Sequence, residues 1–408
     1  MIKPLIIDFD YRIIHSASGQ IARVFWETNR EKNFTPTIVC SYQDIETDST
    51  CDLIQVKECN SLRYIGSALR RVGFPDFCHI PDQRRFSWAP FALRKLRKMD
   101  IGAYDYIHSI SCPESSHMVA LELKKKYGLP WVAQFNDPWV ENEAKAFKTG
   151  MCRRLDERYE AEVAEYADLI IHTNRIIYEN WSARYGDSIK EKMIILPLSF
   201  NVSHLPEIYE EHEQNSKFKI FHIGHLYGKR SARDMFEALA LVKERVPLSA
   251  KKIELSFIGT LSDSDMKYAH KLGVNDMVQY LGVMHPDNLH SYYMSADMFL
   301  VIDMNVPRCP SFPSKLMLYH YYRKPILSIT TEGSIIEDDM TMSGHKTFMY
   351  GDAKGIASYL CSLLDGTVNS AEFDHDYWRK FTVENVTRFQ RSHARNRFRQ
   401  DRYALHQR

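Results

Sequence analysis

Two short turns bring together the residue types that recognise a phosphate. The first is Gly224-His-Leu-Tyr-Gly-Lys-Arg230, which carries two glycines and the cations Lys229 and Arg230. It follows Phe218-Lys-Ile-Phe-His222, whose pattern reads as a strand. The second is Arg308-Cys-Pro-Ser-Phe-Pro-Ser-Lys315, which follows the apolar run Asp297-Met-Phe-Leu-Val-Ile302. A helical stretch comes next and leads into a further strand, Pro325-Ile-Leu-Ser-Ile329. Pro313 lacks an N–H and has a preset φ, which suits the first turn of that helix. Ser311 and Ser314 offer hydroxyls near its start. Open backbone N–H groups and the helix dipole attract anions at such a start. If both turns sit at carboxyl ends of strands in one sheet, Lys229, Arg230 and Lys315 can surround a diphosphate with charge-assisted hydrogen bonds. Ordinary surface turns with solvated cations fit the same residues. Neither turn has the G-x-x-x-x-G-K-[ST] spacing of a P-loop or the G-x-G-x-x-G of a dinucleotide fold.

The elements that must hold these turns follow from the rest of the chain. At 408 residues it exceeds one typical core, so two or three domains are expected. Apolar residues make up 44% and charged residues 26%, the balance of a globular protein. A formal charge of +1 argues against a dedicated nucleic-acid binder. The eight cysteines are scattered without a C-x-x-C pair, which favours free thiols in a reducing compartment over a disulfide frame or a zinc site. No run of 18 apolar residues is present to cross a membrane, and the opening Lys3-Pro-Leu-Ile-Ile-Asp8 lacks a signal-peptide layout.

In the first half, strands are expected at Leu5–Ile7, Pro36–Val39, Tyr104–His108, Pro130–Phe135, Asp168–His172 and Ile194–Pro197. Helical spacing falls between several of them, which implies a parallel sheet covered on both faces. Gly19, between the first strand and a helix, is either a turn residue or a point where a backbone approaches a ligand. Asp137 lies just past the carboxyl end of a strand, where α/β sheets bind ligands, and it could equally cap the next helix. Residues 201–217 are polar and acidic and read as a linker or exposed loop. The alternation then restarts with strands at Phe218–His222, Ile253–Ile258 and Val278–Leu281.

Two segments suggest surface roles. Between residues 82 and 99, Arg84, Arg85, Arg94, Lys95, Arg97 and Lys98 interleave with Phe86, Trp88, Phe91, Leu93 and Leu96. This mixture suits an anionic membrane surface, or a solvated helix with its apolar side on the core, interrupted at Pro90. From Arg388 to Arg408 the chain is strongly basic and reads as a solvated tail or a foot for acidic headgroups.

Taken in order, Phe221-His-Ile-Gly-His-Leu-Tyr-Gly-Lys-Arg230, Phe257-Ile-Gly259, Val278-Gln-Tyr-Leu-Gly282, Ser295-Ala-Asp297, Phe312-Pro-Ser-Lys-Leu316 and Lys324-Pro-Ile-Leu327 resemble glycosyltransferase family 4. Gly19, Tyr106-Ile-His-Ser109, Leu129-Pro-Trp131, Asp137-Pro-Trp139 and Ala167-Asp-Leu-Ile-Ile171 extend the likeness more loosely to the first half. The resemblance implies an α/β chain of GT-B architecture, two Rossmann-like domains facing a central cleft. The expected boundaries are 1–203 for the acceptor-side domain, 204–217 for the linker, 218–370 for the nucleotide-sugar domain and 371–408 for a C-terminal helix and basic tail. The implied activity moves a sugar from a nucleotide-sugar to a polysaccharide or glycolipid acceptor, with retained configuration, no metal and no further cofactor. Arg230 and Lys315 would hold the donor diphosphate and, with Asp137, form the catalytic set. Gly224, Lys229, Gly282, Ser311, Phe312 and Ser314 would complete the donor site, the base lying near Gly282 to His285. Gly19 and Asp137 would face the acceptor. The expected location is cytoplasmic, peripheral at the inner membrane face, with no nucleic-acid partner. One departure favours an alternative, a non-catalytic GT-B module that binds a sugar nucleotide or a partner enzyme. Family members commonly bind the ribose through a Glu on the helix after the second turn, often the second of a Glu-x7-Glu pair, and here those positions are Leu318 and Pro310. Tyr319 or His320 is the nearest substitute.

Overall fold

Asp105, Asp168 and Asp297 each stand one residue before an apolar strand, and each ties that strand to the one beside it. Asp105 accepts from the Lys3 N–H at 2.8 Å while its own N–H donates to the Lys3 carbonyl at 2.9 Å. Asp168 does the same with Trp131, at 2.6 and 2.9 Å. Asp297 does so with Lys219, at 2.8 and 3.0 Å. A backbone donor at the end of a ladder is thereby satisfied by a carboxylate rather than left to water. The register of three parallel pairs is fixed at its amino-terminal edge.

The computed structural model describes residues 2–11, 13, 16–30, 34–42, 51–71, 80–142, 150–208, 217–250, 252–369 and 372–388. The chain forms two compact units, Met1–Val202 with Lys380–Arg408, and Ser203–Arg379. The first unit runs β1 (Pro4–Ile7), α1 (Ala17–Arg30), β2 (Thr37–Ser41), β3 (Asp52–Val56), α2 (Asn60–Arg71), α3 (Arg84–Ser87), α4 (Ala89–Leu96) and β4 (Tyr106–Ser111). It continues with α5 (Ser115–Tyr127), β5 (Trp131–Phe135), α6 (Gly150–Tyr166), β6 (Leu169–His172), α7 (Arg175–Tyr185) and β7 (Met193–Ile195). Its seven parallel strands lie in the order β3-β2-β1-β4-β5-β6-β7. The chain from Lys380 belongs to this unit. Phe200 pairs with Thr382, and Asn29 donates to the Thr387 hydroxyl at 2.9 Å.

The second unit runs β8 (Phe218–Ile223), α8 (Arg233–Arg245), α9 (Pro247–Ala250), β9 (Ile253–Ile258), α10 (Asp263–Lys271), β10 (Val278–Gly282) and α11 (His290–Ser295). It continues with β11 (Met298–Ile302), α12 (Lys315–Tyr321), β12 (Ile326–Thr330), α13 (Ile335–Ser343), β13 (Lys346–Met349) and α14 (Ala353–Leu364). Its six parallel strands take the order β10-β9-β8-β11-β12-β13. The strand order therefore reverses between β1 and β4 in one unit and between β8 and β11 in the other. The carboxyl ends flanking such a reversal form the crevice where open α/β sheets bind ligands.

The strands expected from sequence are present within a few residues of their expected limits. Among the strands, β3 and β13 were not foreseen, and α2 was not foreseen either. The helical segment is broken at Trp88, between α3 and α4, and Pro90 sits in the first turn of α4, where its missing N–H leaves no intrahelical bond unmade. Residues 209–216 and the arginine-rich run beyond Arg388 lie outside the described residues.

Asp297→Ala should lower stability by about 1–2 kcal/mol in urea unfolding, because it leaves the Lys219 N–H without its acceptor. Asp297→Asn, which keeps an oxygen there, should lose less. Equal losses would mean that the hydrogen bond is not what Asp297 supplies.

Candidate functional site

The crevice between β8 and β11 holds Arg230, Asp303 and Lys315. β8 ends at Ile223, and Gly224 follows with φ +147°, a conformation side-chain-bearing residues rarely adopt. A Cβ at Gly224 would lie 2.6 Å from the Lys315 Nζ, so a side chain there would displace that amine from where it sits. The Gly224 carbonyl in turn occupies the space of a Gly259 Cβ, which would meet it at 2.1 Å. The turn then runs to Arg230, whose N–H donates to the Tyr227 carbonyl at 3.2 Å. Its guanidinium lies 4.6 Å from the centre of the Tyr227 ring, within cation–π range.

β11 ends at Ile302, and the buried Asp303 follows. One oxygen of its carboxylate accepts from the Met304 N–H at 2.7 Å and the Cys309 thiol at 3.1 Å. The other accepts from the Thr330 hydroxyl at 2.7 Å. Tyr350 donates to the Asp303 carbonyl at 2.5 Å. Burial raises the Asp303 pKa, while these hydrogen bonds and the charge of Arg230 pull it back. The same surroundings push the Cys309 thiol up to about 12, burial first and the Asp303 charge second. Asp303 thus pins both ends of the 303–309 segment, and this anchored loop delivers Lys315.

Lys315 is half-buried as a residue, but its amine lies against the fully buried ring of His222, 3.2 Å from Nε2. Its pKa falls from 10.5 to about 7. Burial is the larger cause and the nearby Arg230 charge the second; both oppose protonation of Lys315.

The structure sets Gly224 against the Lys315 amine and places Arg230 near enough for its charge to act on that amine. Lys229 is exposed, and its backbone carbonyl accepts from the Asn305 N–H at 3.2 Å. Ser311, Phe312 and Ser314 lie half-buried in the loop before α12. The expected hydroxyl cap is corrected: Ser314 already has helical angles (φ −56°, ψ −29°) and makes no side-chain capping bond. A helical residue cannot swing its hydroxyl onto the N–H groups ahead of it as an extended cap does. Gly282, with φ +75°, closes β10, and its carbonyl accepts from the Gly259 N–H at 2.8 Å. Leu318 is half-buried, and neither proposed substitute for it is available. The Tyr319 hydroxyl donates to the Ile223 carbonyl at 3.4 Å and accepts from the Ile223 N–H at 2.8 Å. His320 is buried against Asp339 at 2.7 Å. Two residues that sequence reasoning missed hold this site, His222 and Asp303. Asp303 had a readable signal, an acid directly after an apolar run. His222 had none, since it sits inside the strand pattern.

Gly19 and Asp137 belong to the first unit. Gly19 lies in the first turn of α1, and the backbone that its missing side chain admits is the chain's own: a Cβ would meet the Asp10 carbonyl oxygen at 1.9 Å. Asp137 is half-buried just past β5, and the next helix among the described residues, α6, begins only at Gly150. Asn136 beside it donates to the Ser18 hydroxyl at 2.6 Å. At the end of β1, burial and the Asp10 charge raise the Asp8 carboxyl to about 8, and Asp10 is itself raised by burial while accepting from the Ser16 hydroxyl at 2.8 Å.

No family model and no curated protein sequence matches the chain. Solved structures do match its fold. HepE of Anabaena, in complex with UDP and glucose, is 11% identical with a TM-score of 0.64, over 96% of this chain and 99% of that one. Sucrose-phosphate synthase of Thermosynechococcus elongatus is 13% identical with a TM-score of 0.63, over 98% and 99%. The lipopolysaccharide outer core galactosyltransferase WaaB, in its apo form, is 14% identical with a TM-score of 0.62, over 98% and 100%. The chain has the GT-B fold, with two parallel-sheet α/β domains.

The depressed pKa of Lys315 fixes a sign. Between about pH 7 and 10.5 the unfolded chain holds the Lys315 proton and the folded chain does not, so stability rises with pH through this group. Relative to Lys315→Met, the wild type should gain about 1–3 kcal/mol between roughly pH 6.5 and 9 in urea unfolding. Parallel pH profiles would mean that the amine titrates normally.

Proposed function

We propose that the chain is a glycosyltransferase that moves a sugar from a nucleotide-sugar to a glycan or lipid-linked acceptor, with retained configuration and without a metal. The observation that carries this reading is the pairing of Arg230 and Lys315 at the β8–β11 crevice, on a fold shared with HepE, which was captured with UDP and with UDP-glucose. As the glycosidic bond to the donor breaks, negative charge develops on the departing nucleoside diphosphate. Two fixed cations beside a low-dielectric wall stabilise that charge more than water does. Lys315 would take up a proton as the diphosphate approaches, since an adjacent anion favours the ammonium form. In the first unit, the polar edge formed by Asp8, Asp10, Asn136 and Asp137 is the proposed acceptor side, with Gly19 at the head of its helix.

A cytoplasmic, peripheral association with anionic membrane is part of the proposal. Trp88, Ala92 and Leu96 are fully buried in the core, while Phe86 and Phe91 remain 42% and 36% exposed. Arg94, Lys95, Arg97 and Lys98 are exposed on the same segment. On α2, which packs beside α3, Leu62, Tyr64 and Ile65 are exposed next to Arg63. Exposed apolar side chains ringed by cations match the interface of an acidic bilayer.

Leu318 favours a second reading, a GT-B module that binds a sugar nucleotide or a partner enzyme without catalysis. Incubation with a panel of nucleotide-sugars, following nucleoside diphosphate release with and without acceptor, separates the two. Release is the expected result; donor binding without release under any condition would leave the non-catalytic module. Lys315→Ala should weaken donor binding by more than about 1.5 kcal/mol, the worth of a charged hydrogen bond. An unchanged dissociation constant would remove Lys315 from the site. Pelleting with acidic liposomes should fall as salt rises and fall again when Arg94, Lys95, Arg97 and Lys98 are replaced by Gln. Salt-independent or absent pelleting would remove the membrane from the proposal.

A further inference from the structure

His222 is an unusual occupant for the centre of a sheet. It lies on β8 with 0% exposure, between β9 and β11. The Phe257 ring packs against it at 5.7 Å between centroids. An aliphatic residue would fill such a position at lower desolvation cost, as Ile220 does on the same strand. Both ring nitrogens of His222 are engaged. Nδ1 lies 3.0 Å from the Leu300 carbonyl, and Nε2 lies 3.2 Å from the Lys315 Nζ. A carbonyl can only accept, so the Leu300 contact requires the proton on Nδ1. Nε2 is then left as a bare lone pair, and the Lys315 amine donates to it whether charged or neutral.

We propose that His222 is a positioning residue that holds the Lys315 amine in place for a diphosphate, using a ring tautomer set by the Leu300 carbonyl. The proposal rests on the donor-site reading above. A lysine side chain has four flexible bonds, and ordering it on ligand arrival costs conformational entropy. Here the amine is tethered from beneath before any ligand comes. The amine lies in the space that a Cβ at Gly224 would take, 2.6 Å from where that atom would sit. His222 cannot itself donate to a phosphate, since its one N–H is committed to Leu300. It therefore acts through Lys315. The imidazole stays neutral, as burial and the Lys315 charge both lower its pKa, so the accepting lone pair persists. The other titratable groups near this pair are Arg230 and His225 on the β8 turn, and Tyr319 on α12.

The experiment measures the affinity of the full chain for UDP, GDP or ADP, with the matching nucleoside as a control, by calorimetry near neutral pH. His222→Phe fills the ring volume but has no acceptor; His222→Gln restores an oxygen near the Nε2 position. Each is made alone and with Lys315→Met. His222→Phe should weaken the nucleoside diphosphate about tenfold or more and leave the nucleoside unchanged, and His222→Gln should recover to within about threefold of the wild type. In the Lys315→Met background, His222→Phe should add less than about twofold, because the two residues act as one unit. Wild-type affinity in His222→Phe, or the same loss in both backgrounds, overturns the proposal while leaving the donor site intact. The nucleoside diphosphate used is the one the wild type binds among UDP, GDP and ADP, with its own nucleoside as control; a wild type that binds none of the three overturns the donor site and this proposal with it. Histidine nitrogen NMR of the wild type gives a test that needs no variant to fold. His222 should carry its proton on Nδ1, and an Nε2–H tautomer would overturn the assignment.

Discussion

An amine buried beside a guanidinium is the constraint around which the second unit is arranged. Burial and like charge both work against protonation of Lys315, and among the described residues the acceptor beside its amine is a neutral ring nitrogen. The nearest acid in the crevice, Asp303, spends its oxygens on Met304, Cys309 and Thr330 and so serves as a hinge pin for the loop. The Arg230 charge in turn lowers the Asp303 pKa against the rise that burial imposes. The outcome is a pocket wall that carries the Arg230 guanidinium and, beside it, an amine whose protonation burial and that guanidinium oppose. That is the electrostatic condition for recognising a dianionic group, because the relief of desolvation comes only when the anion arrives.

The glycines belong to the same arrangement. Gly224 and Gly259 occupy adjacent strand ends, and each lacks a Cβ where a neighbour needs the space: the Lys315 amine at Gly224, the Gly224 carbonyl at Gly259. The stacking brings the turn after β8 close against the turn after β9, with the Gly224 N–H bonded to the Ile258 carbonyl at 2.7 Å and the Gly259 N–H to Gly282 at 2.8 Å. A chain of backbone approaches thus runs from β10 to the amine of Lys315. It works only because strand order places β8 against β11, a pairing that Asp297 clamps at the far end.

Much of this was readable in the sequence, and the parts that were not share a physical cause. The apolar run Met298–Ile302 announces a buried parallel strand because both faces are covered, and Ile253–Ile258 reads as a strand by its alternation. Turn residues and cations at their ends, Gly224, Arg230 and Lys315, could be read directly. Spatial order could not, since periodicity says nothing of which strand lies beside which. His222 was hidden for that reason: in sequence it is one residue of a strand, and its meaning comes from Leu300 and Lys315, 78 and 93 positions away. The serine cap failed for a local reason, since Ser314 is already helical. β3 is short and only partly buried, with the pattern exposed, half-buried, buried, half-buried, buried, too weak a signal to claim a strand by itself.

Leu318 bears on how a donor would be held. An aliphatic side chain accepts no hydrogen bond from a ribose hydroxyl, and Tyr319 and His320 are committed to Ile223 and Asp339. Under the donor reading, affinity then concentrates at the diphosphate end, on Lys315 and Arg230, and little of it comes from the helix that would otherwise grip the sugar ring of the nucleoside. Interactions that act on the departing diphosphate strengthen as charge develops there, whereas a ribose contact is the same before and during bond breaking. Loss of the ribose contact weakens uniform binding and leaves the differential term in place. An aliphatic residue at position 318 is therefore compatible with turnover at a raised donor requirement, so long as the tethered amine is where the departing oxygen needs it.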